Sequence, residues 1–171
     1  GDLHLRNIVV IGDAIVPFDA IEFDEALATI DVLYDLAFLV MDLLFCGLPN
    51  AAGIVLNHYL DVTGDQGGLP VFPLFLSLRA AIRAHVDAAT VGARSPAGVT
   101  LIEDARRYFR AAQDYLRPGA PQLIAIGGLS GSGKSRLARA LAPLVGMPPG
   151  ARVVRSDVLR KRLAGVDLLA P

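Results

Sequence analysis

Eight consecutive residues, Gly128-Leu129-Ser130-Gly131-Ser132-Gly133-Lys134-Ser135, carry the chemistry most legible in this chain. They fit G-x-x-x-x-G-K-[ST] at every fixed position. Glycines let a backbone turn tightly enough for successive N–H groups to point at one set of phosphate oxygens. A helix opening at Lys134 would add the positive end of its dipole to the same anion site. Lys134 would bring a compact charge to the β- and γ-phosphates, and the Ser135 hydroxyl would ligate Mg²⁺. The implied cofactors are ATP and Mg²⁺. A chance match in a chain this long is on the order of one in a couple of hundred, and the apolar run ahead of the loop and the Leu137, Leu141, Leu144 stripe behind it lower that further.

Downstream, Val153-Val-Arg155-Ser156-Asp157 ends an apolar run on an acid. At the carboxyl edge of a parallel sheet, such an acid sits where ligands bind. Asp157 would then position or deprotonate an acceptor hydroxyl, although Ser156 and Asp157 equally suit the cap of the next helix. Arg160 is a possible phosphate or substrate contact within a basic run that otherwise reads as a solvated face.

A second constellation opens the chain. Asp2 and Asn7 have the spacing of a kinase catalytic loop, where the acid takes the acceptor proton and the asparagine holds a metal. Asp19, after two short β-branched runs, falls where the metal-binding acid of such enzymes stands. Glu22 is read as a surface acid or an additional metal ligand. His58 and His85 are given no role.

Residues 7–11 and 15–19 read as strands around the turn Gly12-Asp13-Ala14. Residues 30–46 are apolar nearly all round, as in a helix at the centre of a core. Asp31, Asp35 and Asp42 form one stripe on it, with Asp31 and Asp42 read as solvated. Helices follow over 51–62 and 72–89. In the second, Phe75, Leu78, Ile82 and Val86 are expected to face the core and Arg79, Arg83 and Asp87 the solvent. A loop is expected over 91–98, then a helix from Thr100, capped by Glu103, to about Leu116. The break Arg117-Pro-Gly-Ala-Pro121 separates this from strand 122–126, the glycine loop, helix 134–145, strand 152–154 and helix 157–164, an order typical of a parallel α/β unit.

The second half resembles the P-loop kinases that include gluconate-kinase-like and zeta-toxin-like proteins, on residues 128–135 and Asp157. The first half, through Gly1-Asp2-Leu-His4-Leu-Arg-Asn7, Asp19 and Asp35, resembles the aminoglycoside phosphotransferase family. That resemblance implies Asp2 as catalytic base, Asn7 and Asp19 as Mg²⁺ ligands, His4 as a loop-orienting residue, and Asp35 as a brace for backbone N–H groups of the catalytic loop. The whole order is similar to a bacterial fusion of the two. It implies a mostly helical, kinase-like C-lobe portion over 1–117 and the first part of a P-loop parallel α/β domain over 121–171. It also implies that an N-lobe precedes Gly1 and that a Walker B acid and an arginine lid follow Pro171.

Composition sets outer limits. Of 171 residues, 53% are hydrophobic and 19% charged, ample for a core and without the signature of disorder. A net charge of −1 argues against a nucleic-acid partner. Mean hydropathy of +0.49 is high. The most apolar stretch, 32–48, is nonetheless interrupted by Asp35 and Asp42, so no membrane partner is expected. With the single Cys46, the expected setting is cytoplasmic. The expected partners are a nucleotide and a small-molecule acceptor, in an ATP-dependent phosphotransferase. A nucleotide-sensing module without catalysis is the other reading.

Overall fold

The computed structural model describes residues 1–21, 23–90 and 96–166. A 3-10 turn at Leu5–Asn7 leads into an antiparallel hairpin, β1 (Ile8–Ile11) and β2 (Ala14–Pro17), in the register Ile8 with Pro17 and Ile11 with Ala14. Among the described residues seven helices follow: α1 (Glu25–Ala28), α2 (Val32–Phe45), α3 (Pro49–Thr63), α4 (Phe72–Thr90), α5 (Pro96–Tyr115), α6 (Lys134–Leu141) and α7 (Ser156–Leu163). The fold is mostly helical with one small antiparallel sheet.

The helix α2 lies at the centre. Its N-terminus is set by Asp31, whose carboxylate accepts the amides of Leu33 at 2.7 Å and Tyr34 at 3.4 Å. Leu33, Ala37, Val40 and Met41 are sealed from solvent, with α3 and α4 packed around them. Pro49 stands at the first turn of α3, and Gly64 ends it with a φ of 71°, each residue at the helix end its backbone favours. Between α4 and α5, the buried Ser77 hydroxyl donates to Ala112 O at 2.8 Å. Among the described residues one helical stretch, Leu69–Thr90, has the length and apolarity of a membrane span, and 33% of its apolar window is buried within the fold.

The orientation of α4 departs from the expectation from periodicity at every position but Phe75, which packs against the core. Leu78, Ile82 and Val86 are 42–46% exposed, whereas Arg79 and Asp87 are buried beside Leu76, Ala80 and Ala84. The inward charges are paired, which is the condition for burying them. Arg83 lies 3.7 Å from Asp87, one turn on. Arg79 stacks over the Tyr34 and Phe38 rings, donates from Nε to Tyr34 O at 3.2 Å, and stands 3.7 Å from Asp35. Small residues on that face let α4 approach its neighbours closely.

Two other expectations shift. Thr100 is not a cap, because α5 begins at Pro96, four residues earlier; of the expected loop, 91–95 lie outside the described residues, as does Glu22. Segments 122–126 and 152–154 form no strand ladder. Leu123 is 97% exposed, and among the described residues no neighbouring strand offers these segments hydrogen bonds, without which a strand is not stable.

The burial of α4 gives a direct test. Leu76→Ala is expected to destabilise the fold by about 2–5 kcal/mol through the cavity it opens, and Leu78→Ala by at most about 1 kcal/mol. Denaturant unfolding of the two variants measures both. Equal losses would mean that the helix presents a different face.

Candidate functional site

The first seven residues have no ladder, so their geometry is set by what their polar groups reach. Leu3 N donates to Asp35 Oδ1 at 3.0 Å and Leu5 N to Asp42 Oδ2 at 3.0 Å. The two carboxylates stand seven residues apart on α2, two turns along one stripe, and take alternate amides of the segment. Each is held from behind: Asp35 by Arg79, and Asp42 by the Tyr108 hydroxyl at 3.4 Å. Burial pushes the Tyr108 phenol up to about 12, so it stays protonated and donates. Asp35 therefore braces the loop, as the resemblance implies. Asp42 does so too, correcting its reading as solvated; its spacing from Asp35 was the available signal.

Asp2 and Asn7 of the braced segment come together with the backbone of Asp19, which follows β2. The buried Asn7 turns its amide nitrogen toward Asp2 O at 3.1 Å, Asp2 Oδ2 at 3.2 Å and Asp19 O at 3.3 Å. That leaves its carbonyl oxygen as the atom able to face a cation. His4 Nδ1 accepts the Arg6 amide, so the proton of a neutral ring is on Nε2, 3.4 Å from Asp2 Oδ2. The ring packs on Phe38 at 4.8 Å. Asp19 has a φ of 57°, the one non-glycine in the left-handed region among the described residues, a strain that concentrates at functional positions. An open cleft of about 590 Å³ is lined by Asp2, Asp19, Ala20, Ile21 and Phe23. No cluster of three His, Cys, Asp or Glu side chains exists among the described residues. The carboxylates of Asp2 and Asp19 and the Asn7 amide oxygen are oxygen donors of the type a hard cation such as Mg²⁺ takes.

The glycine loop is compact, turning at 130–133 ahead of α6. Gly128, Gly131 and Gly133 have φ of 151°, 75° and 84°, all costly for residues with a Cβ. Ser132 N donates to Leu129 O at 3.2 Å, and Gly133 precedes the first helical turn. The Lys134 ammonium folds back across the loop, donating to Gly128 O at 2.8 Å and Leu129 O at 2.5 Å. The loop and most of α6 are exposed, Ser135 and Leu129 included.

Neither Ser156 nor Asp157 caps α7: the N-cap is Arg155, without a side-chain bond, and Asp157 lies in the first turn. The Arg155 guanidinium, 2.5 Å away, holds the exposed Asp157 carboxyl below the usual carboxylate range. Arg160 is turned to its own helix, with Nε donating to Ser156 O at 3.2 Å. His58 and His85 are exposed.

Comparison with known proteins adds likeness without chemistry. The chain is 32% identical over 162 residues to uncharacterized proteins of Mycobacterium bovis and of two strains of Mycobacterium tuberculosis. Those matches cover 95% of this chain and 31% of each relative, so the chain spans about a third of their length. No family model and no solved structure matches it.

Asp35→Ala should speed hydrogen exchange at the Leu3 amide, and Asp42→Ala at the Leu5 amide, each by roughly fivefold or more, given about 1 kcal/mol or more for a part-buried donor left unpaired. Amide-resolved exchange by NMR reads both; equal effects of either variant on both amides would mean that α2 does not brace them separately. Arg155→Ala should raise the Asp157 carboxyl back toward its ordinary range, as followed by NMR pH titration. With Arg155 present, the ion pair is complete above that range and lost as pH falls through the depressed value.

Proposed function

We propose that this chain belongs to an ATP-dependent phosphotransferase acting on a small-molecule hydroxyl, with the nucleotide phosphates in the loop over 128–135. The observation that carries this reading is the closed glycine loop with Lys134 drawn across it at the head of α6. The N–H groups of Lys134 and Ser135 begin a helix and have no acceptor within it. Phosphate oxygens are the natural acceptors, and the ammonium lies close enough to exchange its carbonyl contacts for them. The Ser135 hydroxyl would hold Mg²⁺, which supplies charge neutralisation between the β- and γ-phosphates. Asp157, kept ionised by Arg155, would orient the acceptor hydroxyl.

The N-terminal cleft supports a phosphotransferase-like first half. There Asp2 would take the acceptor proton, His4 would hold Asp2 in orientation, and Asn7 with Asp19 would hold a second Mg²⁺. On this reading residues 1–117 are the C-lobe portion of one domain, and residues 121–171 begin a parallel α/β domain. The setting is a cytoplasmic one, with neither nucleic acid nor membrane as partner. A nucleotide-sensing role is the second reading, favoured by the close Arg155–Asp157 pair, which leaves Asp157 a weak base.

Titration with a fluorescent ATP analogue tests the carrying step. Lys134→Ala removes a charge-assisted contact worth about 1.5–3 kcal/mol and should weaken binding roughly 10- to 150-fold. Unchanged affinity would remove the nucleotide from this loop. Phosphate release separates the two readings, since a sensor binds ATP without turning it over.

A further inference from the structure

Between the helical half and the loop-bearing half lies a polar seam built on one face of α3. Asn57 is its centre. Its Oδ1 accepts Val153 N at 2.8 Å and Arg152 Nη1 at 3.0 Å, while its Nδ2 donates to Ala151 O at 3.3 Å and to Gly53 O at 2.9 Å. One carboxamide thus takes an amide and a carbonyl two residues apart on the same segment, as a neighbouring strand would. One turn along α3, Asp61 receives Arg152 Nη2 at 2.6 Å through its carboxylate, and Arg162 of α7 through its backbone carbonyl. Gly53 admits the approach: a Cβ there would stand 3.2 Å from Pro149 O. Segment 151–154 is held from its other end as well, since Ala151 N donates to Ala142 O at 2.7 Å beside Gly150.

What the seam holds is the run that ends at Arg155 and Asp157. Segment 151–154 has no strand partner among the described residues, and α7 has no buried residue of its own. Both lean on α3. We infer that Asn57 and Asp61 are positioning residues for Asp157, so that the helical half supplies part of the loop half's acceptor site. This rests on the phosphotransfer reading above, and extends it by making the two halves one working unit. Asn57 acts through Val153 and Arg152 and touches no reacting atom. Its loss should move the rate of phosphoryl transfer and leave nucleotide affinity alone.

The test compares the full chain with Asn57→Leu, Asn57→Asp and Asp61→Ala. It follows fluorescent-ATP affinity, phosphate release from ATP, and hydrogen exchange over 151–157. The Leu variant is close in size and has no polar group, whereas Asp keeps the acceptor for Val153 N and Arg152. We expect phosphate release to fall tenfold or more in Asn57→Leu and less than threefold in Asn57→Asp. ATP affinity should stay within twofold in both, and exchange at Val153 should rise at least tenfold in the Leu variant. Asp61 is exposed enough for its alanine variant to fold, and that variant should show the same split to a smaller degree. Leu tolerated better than Asp would make Asn57 a packing residue and overturn the inference, as would unchanged release in all three. If the wild-type chain binds ATP and releases phosphate and these outcomes fail, the inference falls alone; if it binds ATP without releasing phosphate, the sensing reading replaces phosphotransfer and the inference falls with it. If it binds none, the phosphotransfer reading falls and takes the inference with it.

Discussion

A backbone amide that leaves water must find an acceptor, and the segment before β1 has neither helix nor sheet to provide one. The α2 carboxylates provide it. Asp35 and Asp42 take Leu3 N and Leu5 N at 3.0 Å each, and between those anchors His4 is carried onto the Phe38 ring. With residues 3 and 5 fixed, Asn7 lies buried just ahead of β1, close enough to Asp2 and Asp19 to hold both through one amide. The N-terminal cleft exists because of this anchoring, and the anchoring in turn requires α2 to be immobile. That is why Leu33, Val40 and Met41, which fix α2 in the core, belong to the same account as the polar residues on its surface.

Carboxylates used this way bring their own charge into a half-buried place, which costs free energy unless an opposite charge or donor follows. Arg79 and Tyr108 follow. The guanidinium of Arg79 lies between two aromatic faces with one edge toward Asp35, a placement that needs its planar, weakly hydrated head. Tyr108 stacks on Phe45 at 3.6 Å and reaches Asp42 from α5. The inverted face of α4 is a consequence: its arginine must point inward to serve Asp35, and Leu78, Ile82 and Val86 are left at the surface.

That chain of dependence explains which parts were legible in the sequence. Hairpin 8–17 and helices α2, α3 and α4 were readable from turn residues and local apolar patterns, because each is decided mainly by neighbours in sequence. The convergence of Asp2, Asn7 and Asp19 was legible as spacing. The face of α4 was not, since Arg79 is buried for the sake of a residue 44 positions earlier, and periodicity alone assigns charge to solvent. Asp42 was missed for the same reason: its partners, Leu5 and Tyr108, lie 37 and 66 positions away. Strands 122–126 and 152–154 were read from composition, but β-branched and apolar residues state only a preference, and a ladder needs a second strand alongside.

The loop-bearing half shows the same rule from the other side. Its helices α6 and α7 are eight residues each, too short to be stable by propensity alone, and neither buries a residue fully. Their placement has to come from contacts made elsewhere. Gly150 lets the chain cross within a hydrogen bond of Ala142 O, a site where a Cβ would stand 2.3 Å from that oxygen, and the Asn57 carboxamide receives the segment that emerges. A glycine in the interior of α3 costs roughly 0.5–1 kcal/mol against alanine, yet Gly53 stands there, where the Pro149 carbonyl comes closest. A helix that gives up stability at the point of contact with another unit, and places an amide one turn further to receive it, is shaped by that contact as much as by its own core.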